Sequence, residues 1–223
     1  MLQVGPLSCF ELSMIRAKNH HSGQFDWLEI QTALLCLALL IVSSFLQAED
    51  LAAADEAFDR GEYATALELY QELADLQEPA ATYRLGLMYE QGLGTDPNPV
   101  AAASWYQKAR ALESPEAIAA LAELHRKGTG VLQNFKEALR LNLSAAESGH
   151  APAQFNLALA YANGVGTFRD PVKAHMWFNI AAANGYPNAA ESRDRLAGSM
   201  AAAEITRAQQ RAQNCLDKNL LGC

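Results

Sequence analysis

Residues 81–116 read ATYRLGLMYEQGLGTDPNPVAAASWYQKARALESPE, and the same plan returns from Ala117 and again from Ala153 without a gap. At a shift of 36, Ala81, Ala117, Ala153 and Ala189 align, as do Leu85, Leu121 and Leu157. Tyr89, His125 and Tyr161 align, and so do the pairs Gly92/Gly94, Gly128/Gly130 and Gly164/Gly166. Further on, Ala102, Ala138 and Ala174 coincide, then Trp105, Leu141 and Trp177, then Ala109, Ala145 and Ala181. Alanine matches alone could be chance. Three G-x-G turns locked to leucine, aromatic and alanine positions are a structural repeat, and a period in this range belongs to solenoids and arrays.

Each unit reads as two helices. Ala81, Leu85 and Tyr89 are four apart and share one helical face. That first helix is expected over about 80–91, stopping at Gly92, where glycine takes positive φ without strain. After the loop LGTDPN, Asn98 caps a second helix with Pro99 at its first position. Asp170 and Pro171 repeat the device; Asn134 and Phe135 keep the cap without the proline. Ala102, Trp105 and Ala109 form the second stripe. Small side chains at fixed turns let helix backbones approach, while Leu, Tyr and Trp fill the gaps between. Alanine makes up 38 of residues 49–223, and no stretch alternates with period two, so a sheet is excluded.

Outside these units the register continues in altered form. In residues 49–80, Ala66 falls 36 before Ala102, Leu69-Tyr70-Gln71 falls 36 before Trp105-Tyr106-Gln107, and Pro79 precedes Pro115. The connection is shorter, Arg60-Gly61-Glu62-Tyr63. After Ala189 the pattern decays into two polar helices, expected over 191–200 and 201–216. A terminal unit needs a wet outer face, so 189–223 reads as a cap.

The units ATYRLGLMYEQGLGTDPNPVAAASWYQKARALESPEA and AQFNLALAYANGVGTFRDPVKAHMWFNIAAANGYPNA resemble Sel1-like repeats, through A-x-x-x-L-G-x-x-Y-x-x-G-x-G and the later A-x-x-W-x-x-x-A-A-x-x-G. Residues 49–80 resemble a tetratricopeptide unit. The departures are Leu141 for the second-helix tryptophan and His125 for the tyrosine. The fold class expected is all-α: an α/α superhelical solenoid with a C-terminal helical cap. Its parts are 1–48 as a leader segment, 49–80 as the tetratricopeptide-like repeat, 81–116, 117–152 and 153–188 as Sel1-like repeats, and 189–223 as the cap. The resemblance implies a bacterial adaptor without activity of its own, and it names no partner.

The chain holds 17 basic and 25 acidic side chains, net −8. Nucleic-acid and anionic-lipid binding need a basic footprint, which this balance lacks. Ala33–Leu46, ALLCLALLIVSSFL, is short for a membrane span and suits a signal-peptide core. Cleavage is expected after Ala48. The flank before the core mixes Arg16 and Lys18 with Glu11, Asp26 and Glu29, so Met14 is an alternative start. The expected location is periplasmic or secreted; a buried helix of a cytoplasmic protein, or an N-terminal anchor, is the alternative.

Candidate chemistry is sparse. Lys127-Gly128-Thr129-Gly130 follows a helix and recurs every 36 residues, unlike a P-loop. His125, His150 and His175 form no metal-ligand spacing and no cofactor motif is present, so neither metal nor cofactor is expected. Asn142-Leu143-Ser144 is a glycosylation sequon placed mid-helix. Trp105 and Trp177 read as packing residues. Cys215 and Cys223 either close a small loop in an oxidising compartment or remain free thiols. Secreted relatives in the resembled family carry cysteines at this spacing within each repeat; here the repeats have none, which separates this chain from the activities of that branch.

The function expected is a non-enzymatic protein–protein interaction scaffold of the bacterial envelope, binding a protein or peptide in a groove lined by first helices. The register places Tyr83, Leu87 and Glu90, then Ala119, Glu123 and Arg126, then Phe155, Leu159 and Ala162 on that face. Tyr83 and Phe155 are the expected anchors. The alternative is a cell-wall-associated glycan-binding or hydrolytic protein, for which Glu90 and Glu123 are the available carboxylates.

Overall fold

The computed structural model describes residues 31, 34, 35 and 48–223, and the chain divides into residues 1–53 and 54–223. In the first unit Gln31, Leu34, Leu35 and residues 48–53 are helical. The expected leader core and its flank otherwise lie outside the described residues.

The second unit is helical throughout, with no strand among the described residues. Helical residues 54–59 (α1) are followed by α2 (Tyr63–Asp75), α3 (Pro79–Gln91), α4 (Pro99–Ala111), α5 (Pro115–Lys127) and α6 (Phe135–Glu147). Then come α7 (Ala151–Asn163), α8 (Pro171–Ala183), α9 (Ala189–Ala197) and α10 (Ala202–Asp217). From α2 to α8 each helix packs on the next, and the first helices α3 and α5 also touch directly, which puts them in one layer. Both cap helices pack on α8.

Local chemistry sets these boundaries. The Asn98, Asn134 and Asp170 side chains accept hydrogen bonds from the amides of Ala101, Glu137 and Lys173 at 3.0, 3.0 and 2.9 Å, capping α4, α6 and α8. Each satisfies an amide that the first turn leaves without an intrahelical partner. The first helices carry their own caps. Ser114 Oγ accepts from Ala117 N at 3.2 Å, and His150 Nδ1 accepts from Ala153 N at 3.3 Å. At the other end Gly92, Gly128 and Gly164 close α3, α5 and α7 with φ of 73, 74 and 72°. The loop is then tied back, since the amides of Asn98, Asn134 and Asp170 donate to the carbonyls of Tyr89, His125 and Tyr161.

The second glycine of each G-x-G has a different duty. Gly94, Gly130 and Gly166 have φ of 74, 71 and 73°, and each lies against the backbone carbonyl of Tyr63, Pro99 or Phe135. Those three residues begin α2, α4 and α6. A Cβ would overlap that carbonyl, so the glycine lets one unit's loop seat on the start of the previous unit's second helix. The 49–80 segment shares this seam through Tyr63, which explains why its second helix keeps the register.

The core runs between the helix layers as Leu85, Met88, Tyr106, Leu121, Leu124, Leu141, Leu157, Trp177 and Ile180, with alanines at the closest approaches. One expectation is corrected here. Trp177 is 1% exposed, but Trp105 is only half-buried, with Lys108 Nζ 3.6 Å from the centroid of its ring. The buried aromatic of that unit is the next residue, Tyr106, which fills the space opposite Gly86, where a Cβ would overlap its ring.

Candidate functional site: the face of the first helices

Tyr83, Leu87 and Glu90 lie on α3, Glu123 and Arg126 on α5, and Phe155 and Leu159 on α7. The structure brings them to matched positions on successive first helices. Their side chains differ in how free they are.

The two aromatics are half-buried and lean on the second helix of their own unit. Tyr83 stacks on Tyr106 with ring centroids 5.8 Å apart. Phe155 sits 5.3 Å from Phe178 and 4.8 Å from Tyr186. These pairs occupy equivalent positions two periods apart, stacked at 29° in the first repeat and tilted at 60° in the third, and each ring packs against the core while keeping part of its surface open. In the middle unit the equivalent residues are Ala119 and Asn142, so no ring rises there. Leu87 is half-buried, and Leu159 is 37% exposed.

The charged residues are mutually engaged. Glu90 accepts a hydrogen bond from the Tyr106 hydroxyl at 2.7 Å. Burial, with this carboxylate as its acceptor, holds the Tyr106 proton far above the usual phenol range. Glu123 accepts from Arg126 Nε at 2.7 Å and lies 3.1 Å from Lys127 Nζ. The Arg126 hydrogen bond pulls Glu123 below the ordinary carboxylate range, against the opposing effect of burial. A general acid needs its pKa raised toward the working pH. Glu123 is shifted the other way, and Glu90 is occupied by a phenol.

The histidines also have structural partners. His150 caps α7 through Nδ1, and burial holds its ring below the usual imidazole range, keeping that nitrogen an acceptor. His125 Nδ1 lies 3.3 Å from the Leu132 carbonyl. His175 is buried on α8 with no partner for Nδ1. Among the described residues no three His, Cys, Asp or Glu side chains gather as a metal site. Asn142 of the sequon is buried within α6. Among the described residues no helix is long and apolar enough to cross a membrane.

One feature was missed by the sequence reading, while the closed loop, one of the two readings open for Cys215 and Cys223, is present. Leu132 and Phe168, one period apart in the inter-helix loops, are 90% and 94% exposed. The signal was an apolar residue in a loop at constant register. Cys215 and Cys223 are joined as a disulfide, with Cα atoms 5.6 Å apart, and this bond draws the C-terminus back along α10.

Comparison with known proteins agrees with the geometry. The Sel1 repeat family matches residues 79–114, 115–150 and 151–186, the spans from the start of α3, α5 and α7 to just past the following helix. The chain is 36% identical over 125 residues to chitin synthase regulatory factor 3 of Schizosaccharomyces pombe, and 31% over 133 residues to the alginate biosynthesis protein AlgK of Azotobacter vinelandii. These alignments take in 55% and 60% of the chain but only 13% and 29% of the relatives. A Sel1 repeat protein from Oxalobacter formigenes superposes with a TM-score of 0.59 at 30% identity, covering 62% of this chain and 57% of that one. A protective antigen of uropathogenic Escherichia coli with an SLR fold superposes with a TM-score of 0.71 over 95% of this chain and 45% of its own, at 23% identity, which speaks to the fold alone. Sel1 repeats typically build non-catalytic scaffolds for protein–protein interaction. Three consecutive Sel1 repeats thus occupy residues 79–186, and the chain belongs to the Sel1-repeat family.

Proposed function

We propose that the protein is a non-enzymatic scaffold of a bacterial envelope assembly, holding an extended segment of a protein partner along α3, α5 and α7. The observation that carries this reading is the repeated aromatic pair, Tyr83 on Tyr106 and Phe155 on Phe178. Rings braced from behind and open in front bury large area on binding at small entropic cost. Between them the low ground of Ala119 leaves room for a passing chain, edged by the Glu123–Arg126 pair. Exposed Leu159 extends the apolar end.

Two relatives are named for chitin synthase regulation and alginate biosynthesis, which supports a partner from polysaccharide production. Export through the Ala33–Leu46 core, with removal after Ala48, places the scaffold in the periplasm or outside the cell. A disulfide between Cys215 and Cys223 accords with an oxidising compartment.

The test is photo-crosslinking in the native host from a benzophenone amino acid at position 87 or 159, compared with position 107 on α4. A single partner captured from 87 and 159 and absent from 107 supports the reading. Capture only from 107 opposes it. N-terminal sequencing of the same material should begin near Glu49, and cytosolic protein starting at Met1 would remove the envelope assignment.

A further inference from the structure

A cavity of about 310 Å³ opens beside the disulfide, lined by Lys173, Met176, Arg211, Asn214, Lys218 and Leu221 among others. Its floor is apolar, since Met176 is buried and Cys215 Sγ lies 3.9 Å from Met176 Sδ. Its rim is cationic. Arg211 and Asn214 lie one turn apart near the end of α10, Lys218 is the residue that closes it, and Lys173 approaches from the first turn of α8.

The charge here runs against the rest of the molecule. The whole chain is −8, yet residues 189–223 hold five basic and four acidic side chains. Among the described residues every salt bridge lies elsewhere: Lys173, Arg211 and Lys218 have no carboxylate within ion-pair distance. The nearby acids have other work. Asp170 caps α8 by accepting from Lys173 N, Asp217 accepts from Gln213 Nε2 at 2.8 Å, and Glu204 accepts from Ala201 N. Lys173 Nζ stands 5.0 Å from the Tyr161 ring centroid, a cation–π contact that holds the ammonium without supplying a counter-charge. Cys223 also lines the cavity, and a carboxylate at its end offsets part of this charge; three side-chain cations against one carboxylate still leave the concavity net positive and favour an anion there. Arginine and lysine donors suit an oxyanion such as carboxylate or phosphate.

We propose that this cavity on the C-terminal cap binds an oxyanion carried on a body of monosaccharide size. Lys173, Arg211 and Lys218 hold the charge, Asn214 donates a further hydrogen bond, and the Met176–disulfide floor receives the uncharged face of the ring. The site is separate from the first-helix face, so its fate and that of the scaffold reading are independent.

The oxidised full-length chain would be titrated calorimetrically with glucuronate, with glucose 1-phosphate and with glucose. The expected result is one-to-one binding of at least one anionic sugar and none of glucose. Glucuronate binding identifies a sugar carboxylate as the source of the charge, and glucose 1-phosphate binding identifies a phosphate. The Kd should rise at least tenfold in Arg211→Ala/Lys218→Ala, with the melting temperature unchanged because both side chains are exposed. Lys218→Gln alone should weaken binding several-fold. Control variants Lys136→Ala and Arg169→Ala should bind as the wild type does. Absence of binding by both anions, equal binding of glucose, or unchanged affinity in the double variant overturns the proposal.

Discussion

Gly130 lies against the carbonyl of Pro99 with φ of 71°, so the loop of the second Sel1 repeat rests on the first residue of α4, the second helix of the repeat before it. The same contact joins Gly166 to Phe135 and Gly94 to Tyr63. It is the physical content of the second glycine in G-x-G. Gly130→Ala meets both a strained backbone and an overlap, and should cost ~2–4 kcal/mol. Gly149 has φ of 88° with open space around it, so Gly149→Ala should cost only ~1–2 kcal/mol, the strain alone. Denaturant unfolding of the two variants checks the order.

Trp177→Ala should lose ~3–5 kcal/mol, as the deletion of a fully buried large side chain. Trp105→Ala should lose less, ~1–2 kcal/mol, since its ring is only half-buried and Lys108 lies over one face of it. Leu141→Ala is expected between them. Equal losses at 105 and 177 would contradict the assignment of Tyr106 as the buried ring of the first repeat.

The period, the two-helix unit, the second-helix caps and the polar cap were legible in the sequence because turn glycines and capping residues have local, context-free chemistry. Which of two adjacent aromatics is buried was not. Trp105 and Tyr106 fit almost the same stripe, and the choice is made by Gly86 on the facing helix, whose missing side chain admits the Tyr106 ring. His150 was given no role by the sequence reading, yet the residue before an Ala-Pro helix start is a capping position, a signal the sequence carried. The candidate face was legible in register. Glu123 pairs with Arg126 and Lys127, three and four residues on along α5, which the spacing allows to be read; that Glu90 is bound to a phenol depends on a side chain from α4.

Acid should weaken the fold through buried His175 and half-buried His150. Burial holds His150 and His175 below the ordinary imidazole range, and at His175 the nearby Arg193 adds to this while Asp194 opposes it. The unfolded chain therefore takes up protons first, as the pH falls through about 6.5. Stability should decline from there until the folded-state values are passed, then level with respect to these groups. His175→Leu should flatten part of that slope in melting curves recorded between neutral and mildly acidic pH. An unchanged slope would show that the ring titrates as it does in the unfolded chain.

Reduction of Cys215–Cys223 should remove about 2 kcal/mol from the unfolding free energy, the loop-closure entropy of a short ring. The loss should be confined to the cap. Hydrogen exchange should quicken in α10 and at Leu220, whose amide bonds to the Cys215 carbonyl, and leave α3 to α6 unaffected. Faster exchange in α3 would mean the cap stabilises the whole array rather than its own end.

The scaffold reading is tested most directly by partner capture with two charge insertions of equal kind. Leu159 is exposed on the first helix α7, and Val100, 67% exposed, lies on the second helix α4. Both sites accept an arginine without disturbing the core, so melting temperatures should stay near that of the wild type. Capture of the cross-linked partner should be lost with Leu159→Arg and kept with Val100→Arg. Retained capture by a folded Leu159→Arg protein, with loss in Val100→Arg, would contradict binding along the first helices and move it to the opposite layer.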